Sequence, residues 1–304
     1  MGRRRRPGRG VRGNEVGAGR ARSGVIVEGA RSRRVSSRNA GFQQWQSYLT
    51  NRTKRHKAGR FLVQGVRPIK LAVDHDWPIE SLLYRVGGPH LSDWARGVLD
   101  TTPHPTIGLV PDLIAELGEK SSAAPELIAV AKVRTPDLAT WTPREREPVI
   151  VVYDRPTSPG NLGTLIRSAN AFGAAAVVVS GHAADHFDPQ CVRASTGSLF
   201  AIPVLRASGA GEMLDFRNRL AGLGIGLTVV GTDEDGTAAV YDHDFTRGTM
   251  LVIGNETRGM SVAWREHCDA VVRIPIGGAA SSLGAPSAGA VCLYEMARQR
   301  RSLQ

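Results

Sequence analysis

Six short, near-continuous apolar runs in the second half of this 304-residue chain constrain its fold more than any other feature. They cover residues 149–153, 176–179, 201–205, 227–230, 250–253 and 270–276. A strand with one wet face alternates apolar and polar residues. A strand that is apolar throughout is buried on both faces, the habit of parallel sheets. Between most of these runs apolar residues recur at helical spacing, as in Leu162, Leu165, Ile166, Ala169 and Phe172, or Ala288, Val291, Cys292 and Met296. This alternation predicts a parallel sheet with helices on both sides, a fold of the α/β class. Ligands of such sheets bind beyond the carboxyl ends of the strands, so the loops after the runs are where chemistry is expected.

The first half reads differently. Residues 1–38 hold twelve arginines against Glu15 and Glu28, which places nearly all of the chain's +11 net charge in a Gly-, Arg- and Ser-rich arm. Such an arm is expected to be disordered, and it is either a bare solvated tail or a source of non-specific phosphate attraction. From residue 39 helical spacing begins with Phe42, Trp45, Tyr48 and Leu49. Strands are predicted at 61–63, 79–84 and 127–131, with helices at 68–73 and 112–117. Residues 39–134 are therefore expected to form a small α/β domain. The Pro-rich stretch 135–147 reads as a linker, and 148–304 as a second domain.

Several classes are disfavoured. The three cysteines, Cys191, Cys268 and Cys292, are odd in number and lack CxxC spacing, which argues against a disulfide framework or zinc ribbon and for a reducing cytoplasm. No run approaches the ~20 apolar residues of a membrane span. His182, Asp185, His186 and Asp188 have spacing that suggests a metal, but their Gly- and Ala-rich surroundings read as a loop, and no metal site is assigned. Gly222, Gly224 and Gly226 precede a strand rather than follow one, so they are not a dinucleotide fingerprint.

Three blocks follow predicted strands. The first is Asn161-Leu-Gly-Thr-Leu-Ile-Arg167, in which Asn161 is a plausible helix N-cap. On residue type alone Arg167 is open to a surface or a functional role. The second is Gly254-Asn-Glu256-Thr-Arg-Gly259, where a glycine ending a strand permits close approach to the backbone. The third runs from Ile274-Pro-Ile276 to Ser282-Leu283-Gly284-Ala285-Pro286, offering an apolar wall and then a helix start. A basic cluster, Lys54, Arg55, Lys57 and Arg60, lies in the first half, and Arg193 in the second. Each reads as a solvated charge or a phosphate contact.

In this order the three blocks resemble the motifs of the SpoU/TrmH family of RNA ribose 2′-O-methyltransferases, within the SPOUT superfamily. Phe61-Leu-Val-Gln-Gly65 resembles the opening strand of that family's ribosomal-protein-like substrate-binding domain. The resemblance implies a C-terminal parallel-sheet domain with a trefoil knot, S-adenosylmethionine as cofactor, structured RNA as substrate and a homodimer. It implies catalytic roles for Asn161, Arg167 and Glu256. Cofactor contacts are implied for Gly231, Thr232, Gly254, Ile274, Ile276, Ser282 and Leu283, and RNA contacts for Lys54, Arg55, Arg60 and Arg193. The appended domain favours ribosomal over transfer RNA. The third block resembles the branch that includes antibiotic-resistance 23S rRNA methyltransferases such as the avilamycin-resistance enzyme. One departure stands out: the family's usual asparagine in the third block is Gly284 here, without a side-chain donor. Two outcomes are thus open, an active enzyme or an RNA-binding protein that keeps a cofactor pocket with impaired turnover.

Overall fold

The computed structural model describes residues 33–118 and 124–301, and residues 32–304 form one compact unit. Most of the expected arm lies outside the described residues. Its end does not behave as expected: Arg33–Val35 is a strand, β1.

The first half continues with α1 (Ala40–Thr50), α2 (Arg52–Ala58), β2 (Arg60–Gln64), α3 (Val66–Asp74), β3 (Ile79–Arg85), α4 (Asp93–Thr101), β4 (Thr106–Leu109), α5 (Pro111–Glu116) and β5 (Leu127–Lys132). The strands form one mixed sheet in the order β1-β4-β3-β5-β2. β5 runs antiparallel to both β2 and β3, whereas β3, β4 and β1 are mutually parallel. Local chemistry sets the helix starts. The Asn39 side chain accepts the Phe42 N–H at 3.0 Å, and that of Asn51 accepts the Lys54 N–H at 2.9 Å. β1, α4 and β4 carried no sequence signal. β1 and β4 are three and four residues long, and α4 buries only Ala95 fully.

The second half comprises β6 (Val149–Asp154), α6 (Pro159–Ala171), β7 (Ala176–Ser180), α7 (Pro189–Ala194), α8 (Ser198–Ala201), β8 (Val204–Ala207), α9 (Ala210–Gly222), β9 (Thr228–Thr232), β10 (Ala238–Ala239), β11 (Thr249–Ile253), α10 (Val262–His267), β12 (Ala270–Arg273) and α11 (Ala285–Arg301). Seven strands form a sheet in the order β10-β12-β9-β11-β6-β7-β8, with every pairing parallel. β6 and β11 are buried at every residue, as their unbroken apolar runs require. Two expectations shift. Ala201 ends a short helix instead of opening a strand, and Ile274-Pro-Ile276 leaves the sheet after Arg273. α6 begins at Pro159, capped by Ser158, whose hydroxyl accepts the Asn161 N–H at 3.2 Å. Asn161 is therefore in the first turn and is not the cap.

One apolar core joins the halves: Phe61 of β2 meets Phe187 at 4.7 Å between ring centroids, and Trp77 meets Phe200 edge-on at 5.2 Å. The stretch read as a linker is folded against the sheet. Leu138 is buried, Trp141 stacks on Phe216, and Arg219 donates to the carbonyls of Leu138 and Trp141. No helix among the described residues is long and apolar enough to cross a membrane.

Candidate active site

Because all seven strands are parallel, their carboxyl ends share one edge. A cleft of about 490 Å3 opens there beyond β9, β11 and β12. Thr232 and Asp233 to Asp235 form one side, the turn Gly254 to Gly259 the floor, and Ile274, Ile276 and the segment from Ser281 to Ala285 the other side. Six of the seven expected cofactor residues line it: Thr232, Gly254, Ile274, Ile276, Ser282 and Leu283. Gly231 does not. A Cβ there would lie 2.7 Å from Met260 and 2.8 Å from Cys268 Sγ, so this glycine serves packing behind the cleft. Gly254 serves its own loop in a similar way, since a Cβ would sit 2.4 Å from the Met260 nitrogen.

The turn after β11 is built by Asn255. Its Oδ1 accepts the N–H groups of Thr257 and Arg258 at 3.0 and 3.1 Å, and its Nδ2 donates to the Arg155 carbonyl at 2.6 Å. Glu256 then reaches across to the loop after β6. Its carboxylate accepts the Tyr153 hydroxyl at 2.8 Å, the Thr157 N–H at 3.2 Å and hydroxyl at 3.1 Å, and Asn161 Nδ2 at 3.3 Å. Burial opposes ionisation of Glu256, yet this set of donors holds its carboxyl below the ordinary glutamate range. Burial, and then the bond to Glu256, push the Tyr153 phenol well up. The clasp therefore joins a neutral tyrosine to an ionised glutamate at neutral pH, and it fixes the first turn of α6 relative to the cleft floor.

Asn161 is thus tied to the cleft through Glu256, but Arg167 is not. It lies further along α6, exposed, with no hydrogen bond or ion pair among the described residues. The Glu256 carboxylate holds Asn161 and makes no bond to Arg167. At Gly284 the backbone has φ +74°, a left-handed conformation, and a Cβ there would meet nothing within 4 Å. Glycine suits that turn, and asparagine is the side chain that tolerates it best after glycine.

The expected RNA contacts separate. Lys54 is exposed on α2, and Arg193 is exposed on α7. Arg60 is half-buried and paired with Glu80. Arg55 is a correction: its side chain is 2% exposed, held by Asp185 at 2.9 Å, Asp188 at 3.0 Å and the Tyr48 carbonyl at 2.8 Å. A guanidinium so enclosed has no reach to RNA, and its role is to lock α2 onto the loop before α7. The same acids account for the histidine- and aspartate-rich stretch, and no metal-holding cluster of three or more His, Cys, Asp or Glu occurs among the described residues.

Sequence reasoning missed Tyr153, which reads as one more apolar residue of a buried strand. It also missed the carboxylates Asp233, Glu234 and Asp235, whose signal was their position just past a strand end.

The cleft fits a cofactor that is part apolar ring and part cation. Ile276 and Leu283 leave 39% and 40% of their surface exposed inside it, an apolar wall that lacks a cover from this chain. Opposite stand the exposed carboxylates of Glu234 and Asp235, suited to sulfonium and ammonium charges, while Asp233 beside them is already paired with Arg265.

A parallel sheet with a ligand cleft at its carboxyl edge, three sequence blocks around that edge and a second α/β sheet ahead of it define the class. The chain belongs to the SpoU rRNA Methylase family, which matches residues 148–294, and residues 39–129 match the SpoU L30e-like domain. It is 52% identical over 271 residues to the 23S rRNA (uridine(2479)-2′-O)-methyltransferase of Streptomyces viridochromogenes, covering 89% of this chain and 94% of that protein. The crystal structure of the SpoU methyltransferase AviRb from the same species, in complex with the cofactor AdoMet, matches with a TM-score of 0.82 and 52% identity, over 87% of this chain and 99% of that one. An AdoMet-bound rRNA methyltransferase from Sinorhizobium meliloti matches with a TM-score of 0.76 and 28% identity, over 90% and 100% of the two chains.

Proposed function

We propose that this protein methylates a ribose 2′-hydroxyl of 23S ribosomal RNA with S-adenosylmethionine as donor. The observation that carries this reading is the cleft, whose uncovered apolar wall and facing carboxylates suit that donor. The uridine 2′-O-methyltransferase of S. viridochromogenes, similar over nearly its whole length, narrows the substrate to ribosomal RNA.

S-adenosylmethionine supplies an electrophilic methyl group when bound. Ile274, Ile276 and Leu283 would hold its adenine, Thr232, Gly254 and Ser282 its polar edges, and Glu234 and Asp235 its cationic end. The protein's own contribution is positional. Glu256, locked by Tyr153 and Thr157, holds Asn161 at the start of α6. Arg167 acts as a cation that grips a phosphate and stabilises the developing 2′-alkoxide. A base role is too costly, because a guanidinium keeps its proton far above neutral pH. The proton leaves to solvent or to an RNA phosphate. Lys54 and Arg193 contact the RNA backbone, and Arg258, exposed at the cleft rim, joins them.

Arg167 is remote from its own chain's cleft contacts, so the reading includes a homodimer in which each Arg167 faces the partner's cleft. The exposed Val291 and Tyr294 of α11 are its apolar contacts. It also includes a trefoil knot. Its support is that β11 lies between β6 and β9, and that α11 returns to pack Gly289 on Leu165 of α6. Residues 39–134 are read as the substrate-binding part and 148–304 as the methyltransferase part. A cytoplasmic location follows from the substrate, and protection of the ribosome from an antibiotic is its proposed purpose.

The test is transfer of tritiated methyl to 23S rRNA, digestion to nucleosides and mapping of the primer-extension stop. Label in a 2′-O-methylnucleoside supports the reading. Label in a nucleobase, or cofactor binding without transfer, overturns it, the latter in favour of an RNA-binding protein.

A further inference from the structure

A second cavity, of about 600 Å3, lies at the opposite edge of the parallel sheet. Ala175 and Pro203, which precede β7 and β8, line it, so it sits at the strands' amino ends while the cleft sits at their carboxyl ends. The five residues of β7 put the two edges roughly 16 Å apart, at ~3.3 Å per residue. Trp77 from the first half and Trp141 from the segment after it are both in its wall. Each is held in place, Trp77 by the edge-on Phe200 of the same wall and a bond from its indole N–H to the Lys132 carbonyl at 2.9 Å, Trp141 by stacking on Phe216. Rigid aromatic faces on a half-buried wall are stacking platforms.

The charges around it are one-sided. Arg134 and Arg144 are exposed on its rim, and neither forms an ion pair among the described residues. Arg134 lies over the Trp77 ring at 5.9 Å. The one carboxylate in the lining is Glu145. Deeper in, His186 is 2% exposed and its Nδ1 has no hydrogen-bond partner, while Nε2 is 3.5 Å from the Thr135 hydroxyl. A buried polar atom without a partner is a cost that a ligand's polar edge relieves.

We infer that this cavity is a second RNA subsite, which takes one unstacked nucleotide between Trp77 and Trp141 with its flanking phosphates on Arg134 and Arg144. Single-stranded RNA is held by this combination of aromatic faces and cations. The inference rests on the proposed RNA substrate and adds a contact at the far edge of the sheet. A structured RNA gripped at both edges is held in register for the distant cleft.

The test uses the full-length protein, a 5′-phosphorylated single-stranded nonamer of uridine, and uridine monophosphate. Ultraviolet cross-linking followed by peptide mapping is expected to join the nonamer to the peptide carrying Trp77 or Trp141. Replacing both Arg134→Gln and Arg144→Gln is expected to weaken the nonamer roughly tenfold and to flatten its salt dependence by about 1.4 log units per decade, the loss of two single-strand phosphate contacts. Affinity for S-adenosylmethionine stays unchanged. Cross-links elsewhere, with the double variant binding like wild type, overturn the subsite. Competition by the mononucleotide at concentrations like those of the nonamer assigns the cavity to a free nucleotide and overturns the RNA reading of it. Nonamer binding needs no turnover, so an inactive wild type that still cross-links at Trp77 or Trp141 defeats the proposed reaction and leaves the subsite standing.

Discussion

Glu256 makes its contacts only as a carboxylate, because every group around it is a donor. Glu256→Gln replaces one acceptor oxygen by an NH2 group and sets donors against each other. We expect methyl transfer to fall at least tenfold while the variant stays folded. The pH dependence follows the sign of the shift. A carboxyl held low in the folded state contributes stability that is complete above its unfolded pKa of ~4.3. It is lost as the pH falls through the lower folded value. In acid titration followed by circular dichroism, wild type should lose stability more steeply than Glu256→Gln below that point. Parallel curves would remove Glu256 from this role. Gly284 gives a second residue-scale case. Gly284→Asn should change stability by less than about 0.5 kcal/mol, since the left-handed turn accepts it and the space is open, whereas Gly284→Val should cost about 1–3 kcal/mol. Urea melts of the two decide this. Cofactor affinity of Gly284→Asn above that of wild type would show that the missing amide mattered.

At the scale of elements, α6 and α11 owe their contact to a glycine. A Cβ at Gly289 would sit 2.5 Å from Leu165 Cδ1, closer than side chains approach. Gly289→Val must displace the buried Leu165 side chain or shift α11 from α6, and is expected to cost about 1–3 kcal/mol through overpacking. Since α11 also carries the helix start below the cleft, affinity for S-adenosylmethionine should fall with it in calorimetric titration. Unchanged stability would mean that Leu165 yields its place without cost. The strands that line the cleft were legible because burial on both faces leaves an apolar run in any parallel sheet. β10, two residues long, and β1, three, were not, because so short a segment has no period to read.

For the whole molecule the decisive contacts are those between the halves. Arg55 is enclosed by two aspartates more than a hundred residues away. Arg55→Ala leaves those carboxylates without their partner and is expected to destabilise the fold by about 3–5 kcal/mol, whereas Lys54→Ala should lower RNA affinity at constant stability. Equal thermal midpoints for the two variants would contradict this. His186, beside the same acids, has its imidazole pKa pushed down to about 3, chiefly by burial. The unfolded chain takes up a proton near pH 6.5 that the folded chain refuses. Stability is therefore full above pH 6.5 and declines as pH drops toward 3. Between pH 6.5 and 5 the loss is roughly 2 kcal/mol at ~1.4 kcal/mol per unit. His186→Phe should remove that slope in denaturant melts at pH 7 and pH 5.

The chain's sequence by itself determined the parallel sheet, because strand burial is written over five to ten neighbouring positions, and the resemblance of its three blocks to a known family implied six of the residues that line the cleft. Only the tertiary structure decided which charges face water. Arg55 and Lys54 are adjacent in a basic cluster and alike in sequence, and packing against Asp185 and Asp188 separates a buried structural cation from an exposed one. The same holds for Gly231 and Gly254, which are both at strand ends and both make room for Met260, although only Gly254 lines the cleft. A residue's partner depends on elements distant in the chain, and no local pattern records that meeting.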